Sequence, residues 1–318
     1  MTRGRVIAAV AWIPALACAA FALLRLSGLQ PGFPLYSLLA FTPYLVPLSL
    51  LAALWALLLR RRAAAVIAAL AALLTVALVA PRAFDDEQPA TPGGEQLRLL
   101  TMNLALGGAD IDQLAELAED EHADAVFVQE LTPQAAARLR ASSLGRAMPN
   151  QVLDPRDGAF GSGLISSLPL RRLPEPAFAG NRPTVAALLD AGDGTWVRAW
   201  SIHPSPPLNS GSLAELDAYL DGIPAADPSG PPAILAGDFN STLDHPDFRA
   251  VLDRGYRDAA DSLGQGLVPT WPTDLFPPKV TIDHVLGDER IVFSDLSVHD
   301  VAGTDHRAIV VTAGATAG

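Results

Sequence analysis

No aspartate or glutamate occurs in the first 80 residues of this 318-residue chain. That rules out the mixed-charge surface an ordinary soluble domain carries. The stretch holds six arginines, Arg3, Arg5, Arg25 and Arg60–Arg62, and three apolar runs, Val6–Leu24, Leu35–Leu59 and Ala63–Ala80. A helix crosses a bilayer with about 20 apolar residues, within a range of about 17–25. The runs therefore predict three transmembrane helices, at about 6–24, 35–59 and 63–80. Pro14, Pro43 and Pro47 fall inside two of them, and membrane helices tolerate proline better than soluble ones do. A cleaved signal peptide is the alternative for the first run, since Arg3 and Arg5 precede it. Two further apolar runs weigh against simple export.

The arginines set an orientation. Arg3 and Arg5 precede the first span, and Arg60–Arg62 separate the second from the third, so both groups belong in the cytoplasm. The third span then delivers the rest of the chain to the far side of a multi-pass cell-membrane protein. Arg25 lies in the opposite loop and argues the other way. Cys18, the single cysteine, lies in the first span, so the exported part has no disulfide.

The remainder is strongly acidic. The chain has 22 Lys+Arg and 34 Asp+Glu; residues 81–318 keep 16 of the former and all of the latter, a formal charge of −18. Residues 81–96, rich in Pro, Gly and acid, read as a linker. From Leu97 strand-like and helix-like segments alternate. Strands are expected at Leu97–Leu104, Ala123–Leu131, Gly163–Ser167, Thr184–Leu189, Trp196–Ile202, Ala233–Ala236, Val280–Leu286 and Ala308–Thr312. Helices are expected at Ile111–Glu121, Ser212–Leu220 and Pro246–Arg254, with Thr132 and Pro133 starting another. This is an α/β pattern, and residues 97–318 suffice for one domain with a full core.

Several of these strands end in the same kind of residue. "LLTMN" ends at Asn103, "AVFVQE" at Glu130, "VRAWSIH" at His203 and "AILAGDFN" at Asp238 and Asn240. "KVTIDH" carries Asp283, and "GTDHRAIV" carries Asp305 and His306 before the last strand. One Asp-x-Asn alone is ordinary turn chemistry. Six such endings in one α/β domain point instead to polar groups converging where strand ends can present them. His122, His245, His284 and His299 lie outside the pattern and read as surface or loop residues.

In that order, Asn103, Gln129-Glu130, His203, "GDFN" 237–240, "IDH" 282–284 and "TDH" 304–306 resemble the endonuclease/exonuclease/phosphatase superfamily, over about residues 97–312. The resemblance implies a four-layer sandwich, two mixed β-sheets flanked by helices, with the site at one end of the sheets. It also implies metal-assisted attack of water on a phosphoester. Glu130 would hold Mg²⁺ or Mn²⁺, with Asn103 and Asp305 nearby; such hard cations take oxygen ligands and keep several waters. Asp238 would orient or deprotonate the water, and Asn240 would hold that water or a phosphoryl oxygen. His203 and His306 would donate to phosphoryl oxygens, and Asp283 would fix the ring of His306. Trp271, in "VPTWP", would face the substrate as an aromatic of this loop does in family members, or else fill the core. Thr304 replaces the Ser usual in the last motif and keeps its hydroxyl. "LALGG" after Asn103 lacks a polar residue that many members carry. Arg182, before Pro183, has a slight chance of reaching the cleft.

Charge selects among substrates. Nucleic-acid affinity comes largely from neutralised phosphates, and a domain near −18 repels a long polyanion. A small or lipid-linked phosphoester is expected, with a nuclease as the alternative and an inactive binding domain behind both. Nothing in the sequence points to a protein partner.

Overall fold

The structure is a computed structural model and describes residues 3–86, 92–192, 194–273, 276 and 278–316. Two six-stranded mixed sheets form its centre. The first has the order β11-β12-β1-β2-β4-β3, built from β1 (Pro92–Asn103), β2 (Ala125–Gln129), β3 (Asn150–Asp154), β4 (Ser162–Ser166), β11 (Ile291–Asp300) and β12 (Arg307–Thr316). The second has the order β5-β6-β7-β8-β10-β9. Its strands are β5 (Leu170–Arg172), β6 (Val185–Asp190), β7 (Trp196–Ile202), β8 (Ala233–Asp238), β9 (Tyr256–Asp258) and β10 (Asp283–Asp288). One parallel pairing stands in each sheet, β1 with β2 and β7 with β8; the other neighbours are antiparallel.

Alternating apolar residues explain the layers. Leu97, Leu99, Phe127, Leu164, Val185, Val197, Ile234, Val285 and Val311 share a core between the sheets. The outer face of the first sheet is covered by α5 (Ile111–Asp120), α6 (Pro133–Ala141) and α7 (Ser143–Ala147), through Leu114, Leu139, Leu144 and their neighbours. Asp110 and Thr132 cap α5 and α6 as donors' acceptors at their first turns. The outer face of the second is covered by α8 (Ser210–Gly222) and α9 (Pro246–Leu252). This is the four-layer sandwich the resemblance implies. The short strands β3, β5 and β9 and the long edge strand β11 are additions to the sequence reading.

The N-terminal helices are α1 (Arg3–Ser27), α2 (Leu35–Leu39), α3 (Leu45–Leu58) and α4 (Arg62–Val79). Two stretches, Arg5–Ser27 and Arg62–Ala83, are long and apolar enough to cross a membrane. The expected middle span is corrected. Leu35–Leu59 is not one helix, because it bends through a 3₁₀ turn at Thr42–Tyr44. Pro43 starts that turn, and Pro47, which has no N–H to offer, fits only the first turn of a new helix. The remaining α3, at 14 residues, is shorter than a span requires. Helices α1, α3 and α4 pack together through Ala11, Ala15, Cys18, Ala22, Ala52, Ala56, Ala64 and Ala68. Leu16, Leu23, Leu51, Leu54, Leu70 and Leu73 face outward. Small residues lie inside and leucine outside, the reverse of a soluble core.

The bundle and the sandwich share a buried joint. Arg25 Nε donates to Asp244 Oδ1 at 2.6 Å, and Arg82 donates to both oxygens of Asp244, at 2.7 and 2.9 Å. All three residues are buried. Burial alone would push the Asp244 carboxyl up; the two guanidiniums outweigh it and hold it below the usual carboxylate range. Tyr36 is fully buried in the outer core of the second sheet. Its hydroxyl donates to Asp247 at 2.7 Å, and its ring stacks on His245 at 4.3 Å between centroids. Residues 81–86 of the expected linker are therefore structured: Ala80–Ala83 form a 3₁₀ turn and Asp85 bridges Leu263. Residues 87–91 lie outside the described residues, and β1 begins at Pro92 rather than at Leu97.

His245 and His284 correct the reading that they are surface groups. His245 Nδ1 accepts from the Thr242 N–H at 2.8 Å, so its Nε2 carries the proton that bonds the Tyr36 carbonyl at 3.1 Å. His284 donates from Nδ1 to Asp258 at 2.7 Å and from Nε2 to the Ser241 carbonyl at 3.0 Å. Using both ring nitrogens as donors requires the imidazolium, and Asp258 outweighs the opposing effect of burial to raise it.

Removing one partner of a buried ion cluster costs about 3–5 kcal/mol, because the charges left behind stay desolvated. Asp244→Ala is expected to lower the thermal midpoint of the full chain in detergent by about 5–15 °C. Replacing all three groups by apolar ones, Arg25→Met with Arg82→Met and Asp244→Leu, should recover most of the loss. A midpoint for Asp244→Ala within a degree of the parent would show that the joint does not bear on stability.

Candidate active site

The strand ends meet as the registers require. Asn103 closes β1 opposite Gln129 of β2, with Glu130 the next residue. Asp238, the last residue of β8, pairs across the ladder with Asp283, the first of β10. His203 follows Ile202, which pairs with Gly237. Gly237 is required here. Its φ is +150°, and a Cβ would lie 2.1 Å from the Ile202 carbonyl oxygen, so only glycine lets β8 run this close to β7. Asp305 and His306 immediately precede β12.

The polar groups interlock. Asn103 Nδ2 donates to Asp238 Oδ2 at 3.0 Å and to Glu130 Oε1 at 3.3 Å. The Leu106 N–H donates to Glu130 Oε2 at 2.5 Å, and the Asn240 N–H to Asp238 Oδ1 at 2.8 Å. His203 Nε2 stands 3.6 Å from Glu130 and 3.7 Å from Asp238. His306 Nδ1 donates to the Asp283 carboxylate at 3.0 and 3.1 Å, which turns its Nε2 toward Asp238 at 3.8 Å. Trp271 Nε1 donates to Asp305 Oδ2 at 2.9 Å. All nine residues expected from the sequence thus fall in one network or line its cleft.

The backbone is strained at this place. Glu130, Asn240, Ala105 and Leu106 have φ of 55°, 50°, 44° and 56°. Asparagine tolerates that region; a bulky leucine does so at a cost, and such residues gather where a structure has a use for them. Electrostatics differ sharply between the two histidines. Burial pushes His203 down to about 4, so it is neutral near pH 7. Burial opposes charge on His306 as well, but Asp283, Asp238 and Asp305 outweigh it and raise the ring to about 10. Burial raises the Asp238 carboxyl, with His306 and His203 pulling the other way.

The cleft has a volume of about 650 Å³ and holds Glu130, Asp238 and Asp305, with Arg182 the one Lys or Arg among its described lining residues, beside the charged His306. Excess carboxylate with asparagine is the donor chemistry of a hard divalent cation. Two seats compete. Asp238, Asp283 and His306 can present ligand atoms within 4.8 Å of one another. Oxygens of both acids are engaged, those of Asp283 by His306 and those of Glu130 by Asn103 and the Leu106 N–H, but Asp283 is fully buried whereas Glu130 is partly exposed and lines the cleft. We favour the Glu130 side.

Sequence reasoning gave Arg182 little weight, yet it lines the cleft. Its Nε donates to Ser205 Oγ at 2.8 Å and its guanidinium lies 4.7 Å over the Phe160 ring. Its position before a proline was the only signal. Ser37, Ala40 and Phe41, which belong to the N-terminal segment, also line the cleft, and no motif marks them.

Residues 100–306 match the model of the endonuclease/exonuclease/phosphatase family. The chain belongs to this family. Members of the endonuclease/exonuclease/phosphatase family are hydrolases acting on phosphoesters. No curated protein sequence matches the chain. Among solved structures it is similar to an endonuclease/exonuclease/phosphatase from Beutenbergia cavernae, at 16% identity and a TM-score of 0.53, covering 70% of this chain and 72% of that one. It is similar to humanized D. rerio TDP2, at 17% identity and a TM-score of 0.53, covering 69% and 99%. It is also similar to the 3′ phosphatase NExo from Neisseria, solved with a product DNA hairpin, at 17% identity and a TM-score of 0.52, covering 68% and 98%. At these identities the likeness is one of fold.

Asp238→Ala and His306→Ala are each expected to lower turnover of a phosphoester by at least about a hundredfold with an unchanged circular dichroism spectrum. Near-parent turnover in either folded variant would remove this cluster from the reaction.

Proposed function

We propose that the chain is a membrane-tethered, Mg²⁺- or Mn²⁺-dependent phosphoesterase acting outside the cytoplasm on a small or lipid-linked phosphoester. The observation that carries this is the convergence of Asn103, Glu130, His203, Asp238, Asn240 and His306 on one cleft at one end of both sheets. Glu130 and Asn103, with Asp305, would hold the cation. When bound it supplies charge neutralisation for a phosphoryl oxygen and the leaving group.

The chain's own groups account for the proton and the charge. Asp238, made more basic by burial, orients the water and takes its proton as the water oxygen bonds to phosphorus. The ester P–O bond breaks, the departing alkoxide takes a proton from solvent water, and Asp238 returns its proton to solvent, leaving an alcohol and a phosphate product. His306, charged and held by Asp283, donates from Nε2 to phosphoryl oxygen as negative charge builds. Neutral His203 can donate one hydrogen bond there without adding charge. Asn240, fixed through its Nδ2 to the Pro204 carbonyl at 3.1 Å, leaves its Oδ1 for the water. Trp271 and Arg182 border the substrate.

Topology supports the membrane reading. Helix α1 carries Arg25 in its last turn, and the turn after α4 contains Arg82; both arginines bond Asp244. The opposite ends of these two packed helices, Arg5 and Arg60–Arg62, therefore share the far end of the bundle. That end would be the cytoplasmic one by the positive-inside rule, with the short α3, packed against both helices, returning the chain between them. Arg25, the dissenting charge, is accounted for as a partner of the catalytic domain.

A nuclease is the second reading, favoured by the DNA hairpin bound to the Neisseria relative. The −18 charge and the single arginine in the cleft oppose it. An inactive binding domain is disfavoured because each position of the cluster carries a chemically competent residue.

EDTA is expected to abolish hydrolysis, with Mg²⁺ or Mn²⁺ restoring it, and Glu130→Gln should raise the Mg²⁺ concentration needed for half-maximal rate. Full activity after exhaustive chelation would exclude the mechanism. Alkaline phosphatase fused after Gly318 should be active, and green fluorescent protein at the same place dark if exported unfolded. The reverse pattern would move the site to the cytoplasm.

A further inference from the structure

The catalytic cleft is not built by the sandwich alone. One of its walls is Ser37, Ala40 and Phe41, from the segment joining α1 to α3. Three fastenings hold this segment across the cleft. The Tyr36 hydroxyl donates to Asp247 at 2.7 Å, and Ser37 Oγ donates to the Pro207 carbonyl at 2.9 Å. The Tyr44 hydroxyl accepts from the Lys279 N–H at 2.7 Å and donates to the Lys279 carbonyl at 3.0 Å. Tyr36 lies in the core of the second sheet, so the wall is as fixed as the sheet itself.

This wall is apolar, and so is the rim facing it. Leu106 and Leu208 line the cleft yet are 61% and 72% exposed. Large exposed apolar groups are few in the sandwich, among its described residues, and two of them stand here. Leu106 is the more telling. Its backbone is strained into the left-handed region while its N–H holds Glu130, so its side chain is presented at the mouth next to the reacting end. Leu35 and Leu38, on the same N-terminal segment as the wall, are also exposed, and that segment joins two helices of the leucine-clad bundle. The cleft thus combines the polar cluster with an apolar wall carried by the segment that links the two long helices.

We infer that the substrate is an amphiphile, a phosphoester whose phosphorus carries a long apolar chain, and that Phe41, Leu106 and Leu208 seat that chain as it leaves the bilayer. This deepens the phosphoesterase reading above and rests on it. Phosphate would meet Asp238, Asn240 and His306, while the chain runs along Phe41 toward the bundle. A free, fully polar phosphoester would leave this wall wetted and unused; contiguous exposed apolar surface beside a site marks what the site takes.

Two chromogenic probes with one leaving group separate these readings. Full-length protein in lipid nanodiscs with Mg²⁺ is given p-nitrophenyl hexadecyl phosphate or p-nitrophenyl methyl phosphate, and p-nitrophenol release is followed. The expected kcat/KM ratio favours the hexadecyl ester by at least about a hundredfold, since each buried methylene contributes about 0.8 kcal/mol and only part of the chain need be seated. Partitioning into the bilayer would also raise this ratio, so variants decide its origin. Phe41→Ala and Leu208→Ser should each reduce the ratio by about tenfold, whereas Leu51→Ala, on the outer face of the bundle, should leave it unchanged. Leu208→Ser changes an exposed loop residue and keeps the test valid if Phe41→Ala misfolds. A parent ratio near one, or a ratio that neither cleft variant alters, overturns the inference while leaving the phosphoesterase standing. No hydrolysis of either ester overturns both.

Discussion

Asp244 is the constraint on which the architecture turns. It is buried and bracketed by two guanidiniums from the N-terminal segment, Arg25 in the last turn of α1 and Arg82 in the turn after α4. One carboxylate thereby fixes where both long helices end, how they lie relative to each other, and where the sandwich sits on them. Low dielectric makes the arrangement unforgiving, because no member can leave without stranding charge. Tyr36 adds direction: its ring and hydroxyl occupy the sandwich's own core, and the residues that follow are delivered to the cleft. The bundle is therefore part of the catalytic body rather than a passive tether.

Within the cleft, geometry and charge are set by different layers of the fold. Backbone register brings Asp238 opposite Asp283 and His203 beside Gly237. Burial then separates the two imidazoles. His203 has no close carboxylate bond and stays neutral, whereas His306 donates to Asp283 and is held charged. A neutral imidazole and a cationic one thus stand 3.7 and 3.8 Å from the same carboxylate, Asp238, on one strand-end platform.

How much of this was legible follows from the range of the interactions. Asn103, Glu130, His203, Asp238 and His306 could be read because each sits at one end of its own apolar strand, a local signal. The break in the second apolar run could have been read from Pro43 and Pro47, but hydropathy alone outweighed them. Arg25 looked like a dissenting topology charge because its partner lies 219 residues away. His245 and His284 looked superficial for the same reason: their burial depends on Tyr36 and Asp258, and histidine is common in both settings. Phe41 was counted as membrane filling, which is what an apolar residue between apolar residues must suggest until the chain's path past the sandwich is known. The family resemblance supplied the roles of the cluster; it could not supply this wall, which lies outside residues 100–306.

The central claim is that this cleft directs water onto the phosphorus of an ester. Hydrolysis in ¹⁸O-enriched water by the full-length protein with Mg²⁺ reads that bond directly. The account predicts one ¹⁸O atom in the phosphate product and none in the released alcohol, as resolved by mass spectrometry after a single turnover. Label in the alcohol would mean attack at carbon and would contradict the arrangement of Asp238, Asn240 and His306 argued above.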